Sequence, residues 1–340
     1  MVQERPFNAE TPLSALSADV TPTPLFYVRS NFDIPVLDAA LWSLRVDGLV
    51  ATPRTFTLQD LQALPRHEVV ATVECAGNGR KLMQPVPAGT AWDLGAVSTG
   101  RFGGVRLRDL LELQGVDASA VEIVFEGADQ GRVEGDRIIH FVRSLPLERA
   151  LHPDTLVAWE MNDAPLTPEH GYPVRLFVPG WYGVASVKWL TRITAVERPL
   201  DAHFQTERYI YDGHPTYAPG TPVTLMHVRA LVSAPEATHP VASGAPVTLR
   251  GIAWSGFAPV TRVEFSTDGG ATWKDATLEP ALSEYAACGW NAQWTPASAG
   301  EHEVIVRAED GAGGTQPLEP IWNALGYGNN VAQRVRFTTT

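Results

Sequence analysis

The chain has 340 residues, of which 44% are hydrophobic and 19% charged, with 29 Gly and 27 Pro. That length allows two or three domains, and that composition implies an ordinary globular protein rich in turns and strands. The net charge of −12 argues against a nucleic-acid or anionic-membrane partner, and the two cysteines, Cys75 and Cys288, are too few for a disulfide framework or a Cys-rich zinc site.

No apolar stretch approaches membrane-spanning length. The opening MVQERPFNAETPLSALS has neither an apolar h-region nor a twin arginine. A cytoplasmic location is therefore expected, or a periplasmic one if a signal was removed. Residues 1–24 are polar and proline-bearing and read as an extended arm. LFYVRSNFDIP, Leu25 to Pro35, reads as a short edge strand. LWSLRVDGLV alternates and ends in a hairpin signal at Asp47-Gly48. TLQDLQALP predicts a short helix capped by Thr57 and stopped by Pro65. HEVVATVEC is a strand. Leu107, Leu110 and Leu111 form a helix face ended by Gly115, and AVEIVFEGAD is a buried strand ending at Asp129. SLPLERAL reads as a helix capped by Ser144, and TLVAWEMNDAPL as a strand and turn. From about residue 215 helical periodicity disappears. Short alternating strands and the Asp268-Gly269-Gly270 turn predict an immunoglobulin-like β-sandwich, in which Cys288 is structural.

The chemistry concentrates in VECAGNGR, Val73 to Arg80. Cys75 ends a strand, a glycine-rich turn brings backbone N–H groups close, and Arg80 adds a fixed cation. A thiol so placed is expected to ionise and serve as a nucleophile or as a ligand to a soft metal. The nucleophile reading, a cysteine hydrolase, needs a positioned histidine, and none of the nine histidines carries such a signature. Neither a paired-histidine metal motif nor a GxGxxG dinucleotide turn is present.

C-A-G-N-x-R resembles the signature of the sulfite oxidase family of molybdenum-cofactor enzymes, and further motifs follow in the family's order over residues 25–340. LFYVRSNFDIP is similar to F-Y-V-R-N-H-x-x-x-P, with Asn31 in place of the histidine. Trp92-Asp93 matches a W-D pair. PEHGYPVRLFVPG resembles H-G-F-P-V-R-x-x-V-P-G, SVKWL matches V-K-W-L, and DAHFQTERYIYDG resembles S-H-W-Q-x-x-D-Y-K-G.

The resemblance implies an α+β fold: a mixed α/β molybdopterin domain over residues 25–215, then an Ig-like dimerisation domain over residues 216–340. It implies Mo-molybdopterin as cofactor, with no haem segment in this chain. Cys75 would bind the metal. Tyr27, Arg29, Asn31, Asp129, His170, Arg175, Ser186, Val187 and Lys188 would hold the cofactor, the last group partly through backbone groups at Ser186 and Val187. Arg29, Arg80, Trp92 and Tyr209 would shape the substrate pocket, with Cys75, Tyr209 and Arg29 catalytic and Tyr211 the competitor for the tyrosine. The implied reaction is oxygen-atom transfer involving sulfite or a related oxyanion, with electrons passed to cytochrome c or dioxygen by a homodimer. A different small substrate, such as a sulfoxide, or a non-catalytic binding role are the alternatives. Leu325, in IWNALGYGNN, stands where the family's W-N-x-R-G carries an arginine, which predicts weak sulfite binding unless Arg334 or Arg336 compensates.

Overall fold

The computed structural model describes all 340 residues. Its first sheet has five strands in the order Arg54–Phe56, Leu44–Gly48, Leu190–Val196, Glu122–Arg132, Ile138–Pro146. Only the Leu44–Gly48 and Leu190–Val196 pair is parallel; the other neighbours run antiparallel. The second sheet carries the cysteine strand, His67–Glu74, beside Val97–Arg106 and then Leu156–Met161. Leu156–Met161 also pairs with Ala164–Pro165 and Arg175–Phe177. This mixed sheet pair, with three short α-helices, gives the mixed α/β first part. The C-terminal part is a β-sandwich of two four-stranded sheets, packed around residues such as Trp290, Phe265 and Phe337.

Local chemistry accounts for the helices. The helix Leu58–Gln62 opens on a capping box in which the Thr57 hydroxyl accepts from the Asp60 N–H and Asp60 accepts from the Thr57 N–H. The helix Leu107–Gln114 buries Leu107, Leu110 and Leu111 and stops at Gly115, whose φ of 67° suits glycine. After Leu156–Met161, Asn162 and Asp163 both take positive φ and close a tight turn into Ala164–Pro165.

Four sequence expectations need correction. Ser144 does not cap a helix: it lies in the strand Ile138–Pro146 opposite Val124, and the helix Leu147–Ala150 begins only after Pro146. The strand predicted to end at Asp129 runs on to Arg132, with a bulge between Glu126 and Gln130 that re-aims Asp129. LFYVRSNFDIP is not a strand; it is an extended strap tied by a single bridge, Ala9 to Val28, and by the Tyr27 N–H donating to Ser98 Oγ at 3.0 Å. Residues 1–24 are not a detached extended arm either. Leu16 is buried in the hydrophobic core, and Asn8, Thr11 and Thr21 are buried with their polar groups partnered in the strap and the cysteine-bearing sheet, such as Thr11 to Ser98 at 2.7 Å.

The end of the cysteine strand is also where the two parts meet. Glu74 and Arg229 form a fully buried ion pair at 2.9 Å, with Asn78 and Trp254 Nε1 donating to the same carboxylate at 2.9 and 3.0 Å. Glu74 comes from the cysteine strand, and Arg229 and Trp254 from the sandwich.

Candidate active site

Cys75 follows the last residue of the strand His67–Glu74 and is anchored by its N–H donating to Ala96 O at 2.9 Å. The chain then turns back through Ala76–Gly79, with Gly79 in the left-handed region at φ 78°. The thiol itself is not poised as its sequence context suggested. Burial pushes its pKa up, against the pull of Arg29, a hydrogen bond from the Gly77 N–H and Arg80. Desolvation of the thiolate outweighs the cations here, so the anion needs a stronger partner than the protein supplies. His170 and His203 share cavity walls with Cys75, but neither is hydrogen-bonded to its thiol, so the positioned thiol–imidazole pair that a hydrolase needs is not formed.

Two cavities share Cys75, Arg29, Asn31 and Tyr209 in their walls. The inner one is lined further by Tyr27, His170, Arg175, Ser186 and Lys188. Its cations have no carboxylate hydrogen-bonded to them. Arg175, 6% exposed, donates only to the carbonyls of Leu176, His170 and Ser186. Lys188 Nζ donates to Ser30 Oγ at 3.2 Å and Glu169 O at 2.8 Å. Burial pushes Arg175 down to about 10 and Lys188 well below its usual range. His170 falls to about 3 through burial and the two cations beside it, so it is neutral at ordinary pH. Buried cations met only by neutral acceptors are costly unless an anion joins them.

The outer cavity, about 220 Å³, adds Arg80, Trp92, His203, Arg208, Leu325 and Tyr327 to the shared residues. No Asp or Glu lines it. Arg80 is nearly enclosed: Nη1 donates to Thr90 O at 2.7 Å and Nη2 to Leu325 O at 3.1 Å, while Nε is buried without a partner. A Cβ on Gly77 would lie 2.7 Å from Nη2 and one on Gly326 2.8 Å from Nε, so both positions must stay bare for the guanidinium to fit. Arg29 is fixed by Asn8, Ser30 O, Asn31 and the Tyr209 hydroxyl. Tyr209 donates to Asn31 Oδ1 at 3.1 Å and stacks on Tyr327 at 4.9 Å. Its backbone is strained, at φ 57°, and Trp189, next to Lys188, shows the same at φ 52°. Bulky residues held at positive φ mark places where packing overrides backbone preference, often beside a site.

The structure thus brings Tyr27, Arg29, Asn31, Cys75, His170, Arg175, Ser186, Lys188 and Tyr209 to one cleft, and Arg80 and Trp92 to its outer continuation. Tyr211 lines neither cavity; it stacks on Tyr217 at 4.1 Å, away from Cys75. Two expected residues stay out. Val187 is buried in the core, with its N–H and C=O both spent on Ala185 and Leu176, so it has no backbone group to offer. Asp129 is buried behind Lys188; Oδ1 has no partner and burial raises its carboxyl to about 6. Arg334 and Arg336 sit on the sandwich, paired with Glu303, and cannot replace the arginine absent at Leu325. His203, Arg208 and Tyr327 were missed. His203 and Arg208 flank the tyrosine motif and could have been flagged as charges beside a candidate residue; Tyr327 had no signal.

The molybdenum cofactor is tested against this donor set. An anionic phosphate suits Arg175 and Lys188, to which no carboxylate is hydrogen-bonded, with neutral His170 beside them. A soft metal suits an isolated buried thiol, and no cluster of three or more His, Cys, Asp and Glu side chains offers a competing metal site. The residues present fit the group.

Comparison with known proteins agrees. The profile of the oxidoreductase molybdopterin binding domain matches residues 31–204, and that of the Mo-co oxidoreductase dimerisation domain matches residues 221–340. The chain is 36% identical to the mitochondrial sulfite oxidase of Drosophila melanogaster, over 98% of this chain and 62% of that one. It is also 36% identical to the sulfite oxidase of Gallus gallus, over 95% of this chain and 74% of that one. A nitrate reductase of Phaseolus vulgaris is 34% identical over 98% of this chain but only 41% of its own length. Several of these relatives are therefore considerably longer than the stretch they share with this chain. Among solved structures, the sulfane dehydrogenase SoxCD of Paracoccus pantotrophus superposes with a TM-score of 0.86 at 28% identity, over 99% of this chain and 85% of that one. The chain belongs to the sulfite oxidase family of molybdopterin-binding oxidoreductases and carries that family's dimerisation domain.

Proposed function

We propose that this protein catalyses oxygen-atom transfer with sulfite or a related small oxyanion, using a mononuclear molybdenum held by Cys75 and a single pterin. The observation that carries the reading is the outer cavity: three arginines, one histidine and no acid beside a buried thiol, in a chain of net charge −12. Such a local reversal of charge selects anions.

When bound, the cofactor would supply two-electron redox and oxygen-atom-transfer chemistry. Arg175, Lys188 and neutral His170 would hold its phosphate, with Tyr27, Asn31 and Ser186 along the same cleft. Arg29 and Arg80 bind and orient the oxyanion. Both are pre-placed by protein hydrogen bonds, so little ordering is left to do on binding. Tyr209 holds its proton toward Asn31 and can turn its hydroxyl to a bound oxygen. Trp92 is fully buried with an unpartnered Nε1–H and walls off water. Asp129 acts on Lys188 from behind the cleft.

An external acceptor, cytochrome c or dioxygen, removes the electrons. The dimerisation domain favours a homodimer with at least about 1,000 Å² buried; light scattering that finds only monomer at micromolar concentration rejects it. No helix is long and apolar enough to cross a membrane, and a cytoplasmic or periplasmic location is to be settled by fractionation. The function is tested by metal analysis and steady-state assay with sulfite and each acceptor. Molybdenum near one per chain with sulfite-dependent turnover supports it; a metal-free, inactive protein from a cofactor-competent host rejects it.

A further inference from the structure

We infer that Arg208 is the anion-capturing residue of the outer cavity, taking the incoming oxyanion from solvent. This rests on the reading above that the cavity takes an oxyanion. The three arginines of the cavity differ in how they are held. Arg29 and Arg80 are bound by neutral acceptors: an asparagine pair, a tyrosine hydroxyl and backbone carbonyls. Neither can leave its place without abandoning several hydrogen bonds. Arg208 has a single side-chain partner, Glu134, at 2.6 Å. That pair is open to solvent, with the side chains 37% and 81% exposed. An exposed ion pair of this kind is weak, so a dianion can displace it cheaply.

Position supports the same role. Arg208 ends the turn His203–Glu207 and immediately precedes the strained Tyr209, so its backbone is fixed next to the shared cavity wall. In the motif that this segment resembles, the residue before the tyrosine is an aspartate; here the charge is reversed. Leu325 lines the same cavity and brings no charge of its own. The other acid nearby, Glu207, is taken up by His203 at 2.8 Å and by Arg137 at 3.4 Å, leaving Glu134 as the carboxylate that competes with substrate for Arg208.

The test uses the holoenzyme and inorganic sulfate as a non-reacting probe, read by calorimetry, alongside sulfite kinetics. Arg208→Ala should weaken sulfate binding about tenfold, the worth of one charge-assisted hydrogen bond at the lower end of its range. Glu134→Gln should act in the opposite direction, tightening binding about two- to fivefold by freeing the guanidinium. In the Arg208→Ala background the Glu134→Gln effect should vanish. A merely structural pair would predict losses of the same sign from both changes. Unchanged sulfate binding in Arg208→Ala, or weaker binding in Glu134→Gln, overturns the inference. Sulfate binding that follows the expected pattern in a protein that does not oxidise sulfite upholds Arg208 and rejects the reaction instead.

Discussion

Arg175 and Arg229 are both buried arginines close to the end of the cysteine strand, and they are held in opposite ways. Arg229 meets the Glu74 carboxylate at 2.9 Å, with Trp254 and Asn78 completing the acceptor's shell. Arg175 meets only carbonyl oxygens, and Lys188 beside it donates only to a carbonyl and a hydroxyl, with Asp129 acting on it without a hydrogen bond. Although its Nε and Nη2 are buried without a partner, Arg229 joins the first part of the chain to the sandwich through a carboxylate of its own. A buried cation without one costs folding energy that a bound anion can offset. Neutralisation inside the protein thus separates the cations that build the fold from those that await a ligand.

Cys75→Ser should have the largest effect, abolishing oxygen transfer with the fold intact, because a serine hydroxyl is too hard and too weakly acidic to replace a thiolate. Near-native turnover at full molybdenum occupancy, with circular dichroism unchanged, would refute the ligand assignment. Arg229→Met leaves Glu74 buried and unpaired and should cost about 3–5 kcal/mol in denaturant unfolding. A loss under about 1 kcal/mol would show that the pair is not what joins the two parts. Arg175→Met should do the reverse in protein made without cofactor, raising stability by about 1–4 kcal/mol, while pterin content of protein from a competent host falls. Destabilisation of the cofactor-free protein would break the distinction drawn above. Leu325→Arg is the smallest change: by adding one charged hydrogen bond it should lower a high KM for sulfite by about tenfold. A wild type that already turns over micromolar sulfite efficiently would contradict it.

Much of this was legible in the sequence because the informative residues sit in contiguous motifs. The Cys75 turn, the His170 to Arg175 segment and Lys188 each come with fixed neighbours, and all line the inner cavity. The sandwich strands and the helix ended by Gly115 follow from local periodicity and capping. What failed was non-local. Asp129 and Val187 lie in matching segments, yet a bulge and a spent backbone keep them out of the cleft. The ionisation of Cys75 was inferred from nearby cations, whereas complete burial raises its pKa. Tyr327 reaches the cavity by stacking on Tyr209, a pairing across more than a hundred residues that no spacing rule contains. Glu74 looked like one more polar residue in a strand until Arg229 was folded onto it.

Ligation of molybdenum by Cys75 is tested by X-ray absorption at the molybdenum edge, comparing wild type with Cys75→Ser at equal metal content. One sulfur neighbour fewer is expected in the variant, with the remaining sulfur shell unchanged. An identical sulfur count in the two proteins would contradict it.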